Sequence, residues 1–143
     1  MLWDIERNRK IRTLSGHLEV ITSATFSPDG KSVATASMDS TVRLYRINDP
    51  ESVLTLGGQS FSYMSVAFSL DGHRLAANND GTIRLWDLTT VQPQEVAALQ
   101  GRKGFGSALA FLPEGDTLVC AGSYQPAIQL WRAASINQIK TFE

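Results

Sequence analysis

Cysteine and long apolar runs are scarce in this sequence of 143 residues, and each scarcity excludes a class of protein. Cys120 is the only cysteine, so no disulfide can form within the chain, and its place in the apolar run 118–121 predicts a buried thiol in a strand. No run approaches the roughly 18 apolar residues of a membrane-spanning helix, and the first residues lack a secretory signal pattern. We therefore expect a cytoplasmic protein with no membrane partner.

An excess of positive charge is also missing. Thirteen lysines and arginines face fourteen aspartates and glutamates, which gives a net charge of −1. Nucleic-acid binding that is independent of base sequence depends on an excess of basic residues that neutralise phosphates. We therefore expect no nucleic-acid partner.

Enzyme and metal motifs are absent as well. The sequence has no phosphate-binding loop, no nucleophile elbow, and neither the C-x-x-C nor the H-E-x-x-H pattern. His73 follows a turn glycine with no second ligand at metal-binding spacing, so it is interpreted as a solvated turn residue. We expect no catalytic site, no metal and no cofactor.

What the sequence does contain is a repeat with a period near 42 residues. An aromatic residue closes a similar strand pattern at positions 3, 45, 86 and 131. Phenylalanine opens a turn motif at positions 26, 68 and 111, and glycine recurs at 16, 58 and 101. Because three markers keep one register, the period indicates a repeated structural unit.

Each period predicts four antiparallel β-strands, since short runs of alternating apolar and polar residues lie between Gly, Asp and Asn turns. In the turn 27–30, proline presets φ and the final glycine can take a positive φ. Residues 2–5 and 11–14 predict two strands of an earlier unit. The strands predicted for the three full units are 20–27, 32–37, 41–47 and 53–56; 62–69, 74–78, 82–88 and 95–99; and 105–112, 117–122, 127–132 and 138–142.

The first period carries Gly16-His17, the turn Phe26-Ser27-Pro28-Asp29-Gly30, the turn Ser37-Met38-Asp39, and the strand Val42-Arg43-Leu44-Tyr45. These motifs resemble the WD40 repeat of β-propellers, and the resemblance covers essentially the whole chain. It implies an all-β propeller segment whose four-stranded antiparallel blades pack face to face around an axis.

The repeat arithmetic gives about three and a half blades. Residues 1–15 would form the outer two strands of a preceding blade, and repeats 1 to 3 would span 16–57, 58–100 and 101–143. Propellers typically have at least four blades, so we expect a segment of a longer propeller rather than a closed ring. An isolated segment would leave blade faces uncovered and could self-associate.

The resemblance also implies a hydrogen-bonded network within each blade, formed by the His of Gly-His, a Ser or Thr, the turn Asp and the strand-end Trp. Such a buried polar set stabilises a blade, and we prefer this role to a catalytic one. Gln59 and Arg102 stand where the second and third repeats would carry His, so we expect a partial network in one and none in the other. The matching positions are His17, Ser37, Asp39 and Tyr45; Asn78, Asp80 and Trp86; and Ser123 and Trp131.

One end of the blades is the predicted partner-binding rim, because strand direction brings the start of strand one and the turn between strands two and three together. Methionine and aromatic residues there are typical of interface cores, although Met64 and Phe105 could instead pack between blades. Arg43 and Arg84 share a position in strand three and predict a solvated or cross-strand-paired face. The predicted rim comprises Val20, Thr22, Met38, Ser62, Met64, Asn79, Phe105, Ser107 and Tyr124.

These features predict a non-catalytic scaffold that binds another protein or another domain of its own chain. The alternative is that the segment is the sensory or autoinhibitory WD40 portion of a larger signalling enzyme, such as a kinase or nucleotide hydrolase. A phosphate loop or kinase motif in flanking sequence would favour that alternative. The fold alone does not distinguish these two functions, because one fold can carry many functions.

Overall fold

The computed structural model describes residues 1–58, 61–79, 81–100, 108–115, 117–122 and 128–132. This part of the chain consists of β-strands, turns and loops, and it contains no helix that is long and apolar enough to cross a membrane. The strands are β1 (Leu2–Asp4), β2 (Arg9–Arg12), β3 (Ile21–Phe26), β4 (Ser32–Ser37), β5 (Thr41–Arg46), β6 (Asp49–Gly57), β7 (Ser65–Phe68), β8 (Arg74–Asn78), β9 (Thr82–Asp87), β10 (Gln94–Gln100), β11 (Ala108–Phe111), β12 (Thr117–Ala121) and β13 (Ile128–Arg132).

The strands form successive antiparallel sheets in chain order. Strands β1 and β2 pair with each other, β3 to β6 form blade one, β7 to β10 form blade two, and β11 to β13 are the described strands of blade three. The prediction of an all-β chain with four-stranded antiparallel blades is therefore confirmed. The strand predicted at 138–142 lies outside the described residues.

The Asp-Gly and Glu-Gly turns between the first two strands of each blade have the predicted geometry. Gly30, Gly72 and Gly115 have φ angles of 68°, 73° and 78°, a region that costs glycine little. Each donates its N–H to the carbonyl three residues earlier, at 2.9 Å. These closed turns fix the pairing of β3 with β4, of β7 with β8 and of β11 with β12.

The core consists of two apolar layers that lie between successive blades. Small residues of blade one, including Ala34 and Ala36, face Leu75 and Trp86 of blade two. The opposite face of blade two packs against blade three, where Cys120 is buried as predicted, and burial raises the pKa of its thiol. Alanine on one face lets the next blade approach closely enough to exclude water from the larger side chains.

A blade face without a neighbouring blade stays exposed. Ile83 of blade two is 2% exposed, whereas Ile128, which holds the corresponding place in blade three, is 66% exposed. Phe68 packs on the core between blades, whereas its counterpart Phe26 in blade one is mostly exposed. Burial of these faces thus depends on contact between blades rather than within one sheet.

Candidate functional site

The Gly-His loop of repeat one reaches the turn between β4 and β5 through a buried histidine. His17 Nδ1 lies 2.8 Å from Asp39 Oδ2, and Nε2 lies 2.7 Å from Thr35 Oγ1. A carboxylate only accepts, so Nδ1 carries a proton. In the tautomer protonated at Nδ1 alone, Nε2 accepts from the threonine hydroxyl and both contacts are satisfied. The structure thus brings His17 and Asp39 together.

Asp39 is the centre of this network and accepts four hydrogen bonds. Its Oδ1 accepts from the backbone N–H and the hydroxyl of Thr41, and its Oδ2 accepts from His17 and from the N–H of Leu18. Burial alone would raise the pKa of Asp39, but the hydrogen bonds from Thr41, Leu18 and His17 outweigh it and hold that pKa well below its usual value. The carboxylate thus ties the loop before β3 to the turn before β5.

Acid should weaken this connection in a predictable direction. The pKa of Asp39 is lower in the fold than its usual 3.8, so its contribution to stability is full above that value and falls away below it. We expect the stability difference between the unchanged chain and Asp39→Asn to shrink as the pH is lowered from about 5 to about 2. Urea unfolding followed by circular dichroism at each pH measures it, and a constant difference would contradict the assignment.

Two predicted members of the repeat-one network have different partners. Ser37 is fully buried but donates to the carbonyl of Glu19 and accepts from the N–H of Asp39, so it stabilises the turn and does not bond to His17. Thr35 takes the place predicted for Ser37. The two residues lie on one face of β4, and His17 Nε2 contacts Thr35, which is farther from the turn. Tyr45 donates its hydroxyl to the carbonyl of Ser15, at 3.2 Å.

In repeat two, the described residues form an aromatic pair in the layer between blades one and two. Tyr63 is fully buried, and its ring meets Trp86 edge to face with centroids 6.2 Å apart. Burial raises the pKa of the Tyr63 phenol to about 12. The amide of Asn78 donates to Cys120 Sγ at 3.4 Å, a contact between blades two and three rather than with Trp86. Asp80 and Gln59 lie outside the described residues.

Blades two and three also lack the hydroxyl that His17 contacts in blade one. Thr35 pairs with Arg43, and in blades two and three the same pairing position holds Ala77 and Cys120, which lack a hydroxyl. Trp131 packs on the apolar layer between blades two and three. Ser123 lies outside the described residues.

The two matched arginines have different surroundings. Arg84 Nη1 forms a cross-strand salt bridge with Glu95, at 2.7 Å and 2.8 Å from the two carboxylate oxygens, as the pairing prediction allowed. Arg43 lies under the Gly-His loop, where its guanidinium fills the space that a side chain at Gly16 would need. Glycine is favoured at position 16 by its φ of 126°, and a side chain there would also displace the end of the Arg43 side chain.

The predicted rim contains an exposed apolar surface. Val20, Met38 and Met64 are 61%, 44% and 42% exposed. Met38 donates its N–H to the carbonyl of Val20 and accepts at its own carbonyl from Ser62 Oγ, while the N–H of Met64 bonds to Asn78. Backbone hydrogen bonds therefore fix the positions from which these side chains project. Together with Leu18 and Phe61, which are also exposed, Val20, Met38 and Met64 are here named the apolar rim.

The remaining predicted rim residues divide into three groups. Thr22 is partly buried, and its hydroxyl donates to the carbonyls of Ala36 and Tyr63, which connects the two blades; its place in the rim stays a prediction. Asn79 is buried, and its N–H closes the turn onto Thr82. The assignment of Asn79 to an exposed rim was therefore wrong. Phe105, Ser107 and Tyr124 lie outside the described residues.

The histidine network lies inside the blade. The side chains of His17 and Asp39 are 3% and 6% exposed, and Thr35, whose hydroxyl contacts His17 Nε2, is 4% exposed. Within the described ranges, no three His, Cys, Asp or Glu side chains are grouped so that they could hold a metal ion. The geometry makes the network a structural connection and leaves the apolar rim as the candidate functional site.

The blades and their turns define a segment of a WD-repeat propeller. The profile of the family "WD domain, G-beta repeat" matches residues 8–46 and 50–87. These matches cover more than half of the chain, which therefore belongs to the WD40 repeat family.

Individual relatives agree with this assignment. The chain is 29% identical to the serine-threonine kinase receptor-associated protein of Gallus gallus, over 99% of this chain and 39% of that protein. It is 32% identical to the ribosome biogenesis protein WDR12 homolog of Ixodes scapularis, over 87% of this chain and 29% of that protein. The solved structure of U3-55K matches with a TM-score of 0.75 at 22% identity, over 85% of this chain and 38% of that one. The chain thus spans two fifths or less of the length of these relatives.

Proposed function

We propose that this chain is a non-catalytic protein-interaction module whose partner binds the apolar rim. The observation that carries the proposal is the group of exposed Met38, Met64 and Val20 on turns held by backbone hydrogen bonds. Methionine adapts its shape to a partner, and large apolar anchors supply most of the energy at interfaces. A rigid base reduces the entropy lost on binding.

The names of two relatives point in the same direction. One is a receptor-associated protein and another is a ribosome biogenesis protein, and neither name describes a kinase or a nucleotide hydrolase. These names support a scaffold that binds another protein or another domain of its own chain. They give no support to the alternative of a signalling enzyme.

Loss of the two methionines should remove binding without unfolding the chain. We expect Met38→Ser combined with Met64→Ser to weaken capture of the native partner by about tenfold or more, since such anchors dominate binding energy. Both side chains are exposed, so the melting temperature should change little. Affinity capture from cells of the source organism, followed by titration of the captured protein, measures the loss.

Val96→Ser provides the matched control. Val96 is an exposed aliphatic residue on the outer strand β10, away from the apolar rim. Its replacement should leave capture unchanged. The apolar rim is not the binding site if the partner binds the double methionine variant and the original chain with equal affinity. The same conclusion follows if Val96→Ser abolishes capture of the partner.

A further inference from the structure

A second concave surface lies at the opposite end of the first two blades from the apolar rim. There the hairpins β3–β4 and β7–β8 and the turn between β9 and β10 enclose a cleft of about 570 Å³. That volume is within the range of sites that hold small ligands and side chains. Nothing in the WD40 network or in the apolar rim uses this cleft.

Apolar side chains form one part of the cleft lining, here called its floor, and exposed aliphatic side chains lie at its edge. Leu44, Phe68 and Leu88 line it and pack from beneath against the core between the blades. At the edge, Leu70 is 62% and Val91 is 95% exposed. Covering these edge residues would remove apolar surface from water, which favours an occupant with a large aliphatic side chain.

The hairpin side of the cleft carries two carboxylates at fixed positions. Asp29 accepts from the hydroxyl of Ser27 at 2.6 Å, and Asp71 accepts from that of Ser69 at 2.5 Å. The two hairpins are neighbours, since a Cβ atom placed on Gly72 would lie 3.7 Å from Pro28 Cδ. Asp29 and Asp71 therefore stand on adjoining turns, each with its Oδ1 occupied by its own hairpin.

The charge of the lining favours a basic occupant. Besides the two carboxylates, the lining contains the cation Arg46 and the exposed His73, whose Nδ1 lies 3.6 Å from Asp71. The hydrogen bonds from Ser27 and Ser69 lower the pKa of the two aspartates, so both are ionised at neutral pH. Apart from His73, the lining thus carries two carboxylates and one cation, while Lys31 and Arg74, the cations that act on Asp29 and Asp71, are not among the lining residues.

We propose that this cleft binds a short peptide segment in which a large aliphatic side chain lies next to a lysine or arginine. The aliphatic side chain covers the floor between Leu70 and Val91, and the cation faces the adjoining turns of Asp29 and Asp71. The cleft and the apolar rim lie at opposite ends of the blades, so a scaffold could hold two segments at once. The proposal does not depend on what binds the rim.

Three short fluorescein-labelled peptides test the proposal with the full chain. Each has one variable pair in a Gly-Ser background: Leu-Lys, Leu-Glu or Ser-Lys. Fluorescence anisotropy should show binding of the Leu-Lys peptide, and both other peptides should bind about tenfold or more weakly. Absence of binding of the Leu-Lys peptide up to about 1 mM, or tighter binding of the Leu-Glu peptide, would overturn the proposal.

Variants locate the bound peptide. The double variant Leu70→Ser and Val91→Ser should bind the Leu-Lys peptide about tenfold more weakly, because the aliphatic contact is lost. Asp29→Asn with Asp71→Asn keeps an acceptor oxygen for each serine but removes both charges, and should abolish the preference for lysine over glutamate. The Met38→Ser and Met64→Ser variant of the rim should bind the peptide unchanged. Retained affinity in the Leu70 and Val91 variant, or loss in the rim variant, would place the peptide elsewhere and refute the site.

Discussion

Replacing Tyr63 with alanine should lower the free energy of unfolding by about 3–5 kcal/mol, the range for removing a large aromatic side chain from a core. Tyr63 is fully buried, contacts Trp86 edge to face and belongs to the apolar layer between blades one and two. Its backbone also joins the blades, since its N–H donates to Ser37 and its carbonyl accepts from Thr22. Urea or thermal unfolding measures the loss.

Two further variants separate packing from other causes. Tyr63→Phe keeps the ring and removes a buried hydroxyl that makes no close hydrogen bond within the described part of the chain, so it should cost less than about 1 kcal/mol. Phe61→Ala, at an exposed aromatic residue two positions earlier, should also have a small effect. Losses of similar size at Tyr63 and Phe61 would show that the layer between the blades does not depend on the buried ring.

The repeat and its turns could be predicted from the sequence because their signals are local. Pro28 and Gly30 preset the backbone angles of one hairpin, and alternation of apolar and polar residues defines β4, which the structure places at the predicted residues 32–37. The strand predicted at 62–69 is shorter in the structure, at 65–68. Tyr63 and Met64 bond to the carbonyls of Ser37 and Asn78 at the strand's start, a long-range arrangement that local pattern does not encode.

The candidate site was predicted only in part. Counting residues along a strand tells which face of the sheet a side chain lies on, but not which residue on that face contacts a given partner. Thr35 and Ser37 lie on the same face of β4, and only the position of the His17 ring selects Thr35.

A change in turn length caused the error at Asn79. In blade one, the paired residues Ala36 and Val42 enclose the turn, whereas in blade two Asn78 and Ile83 enclose a turn that is one residue shorter. Matching by number therefore placed Asn79 on the exposed rim, although the shorter turn draws it into hydrogen bonding with Thr82. Leu18 and Phe61 were missed because no marker of the repeat falls on them. Their exposure depends on how the loops before β3 and β7 lie against the blades.

Replacing His17 with alanine should lower the free energy of unfolding by about 1–3 kcal/mol, because it leaves buried polar groups without their partner. Asp39 would lose the imidazole donor to its Oδ2, and the Thr35 hydroxyl would lose its acceptor at 2.7 Å. Chemical denaturation measures the change.

His73→Ala is the matched control for this variant, because His73 is an exposed histidine on the β7–β8 hairpin and its replacement should cost little. A double-mutant cycle with Thr35→Val then measures the coupling between His17 and Thr35. In the double variant both partners are gone, so the combined loss should be smaller than the sum of the two single losses. Additive losses, or equal losses at His17 and His73, would show that the imidazole does not join the Gly-His loop to β4.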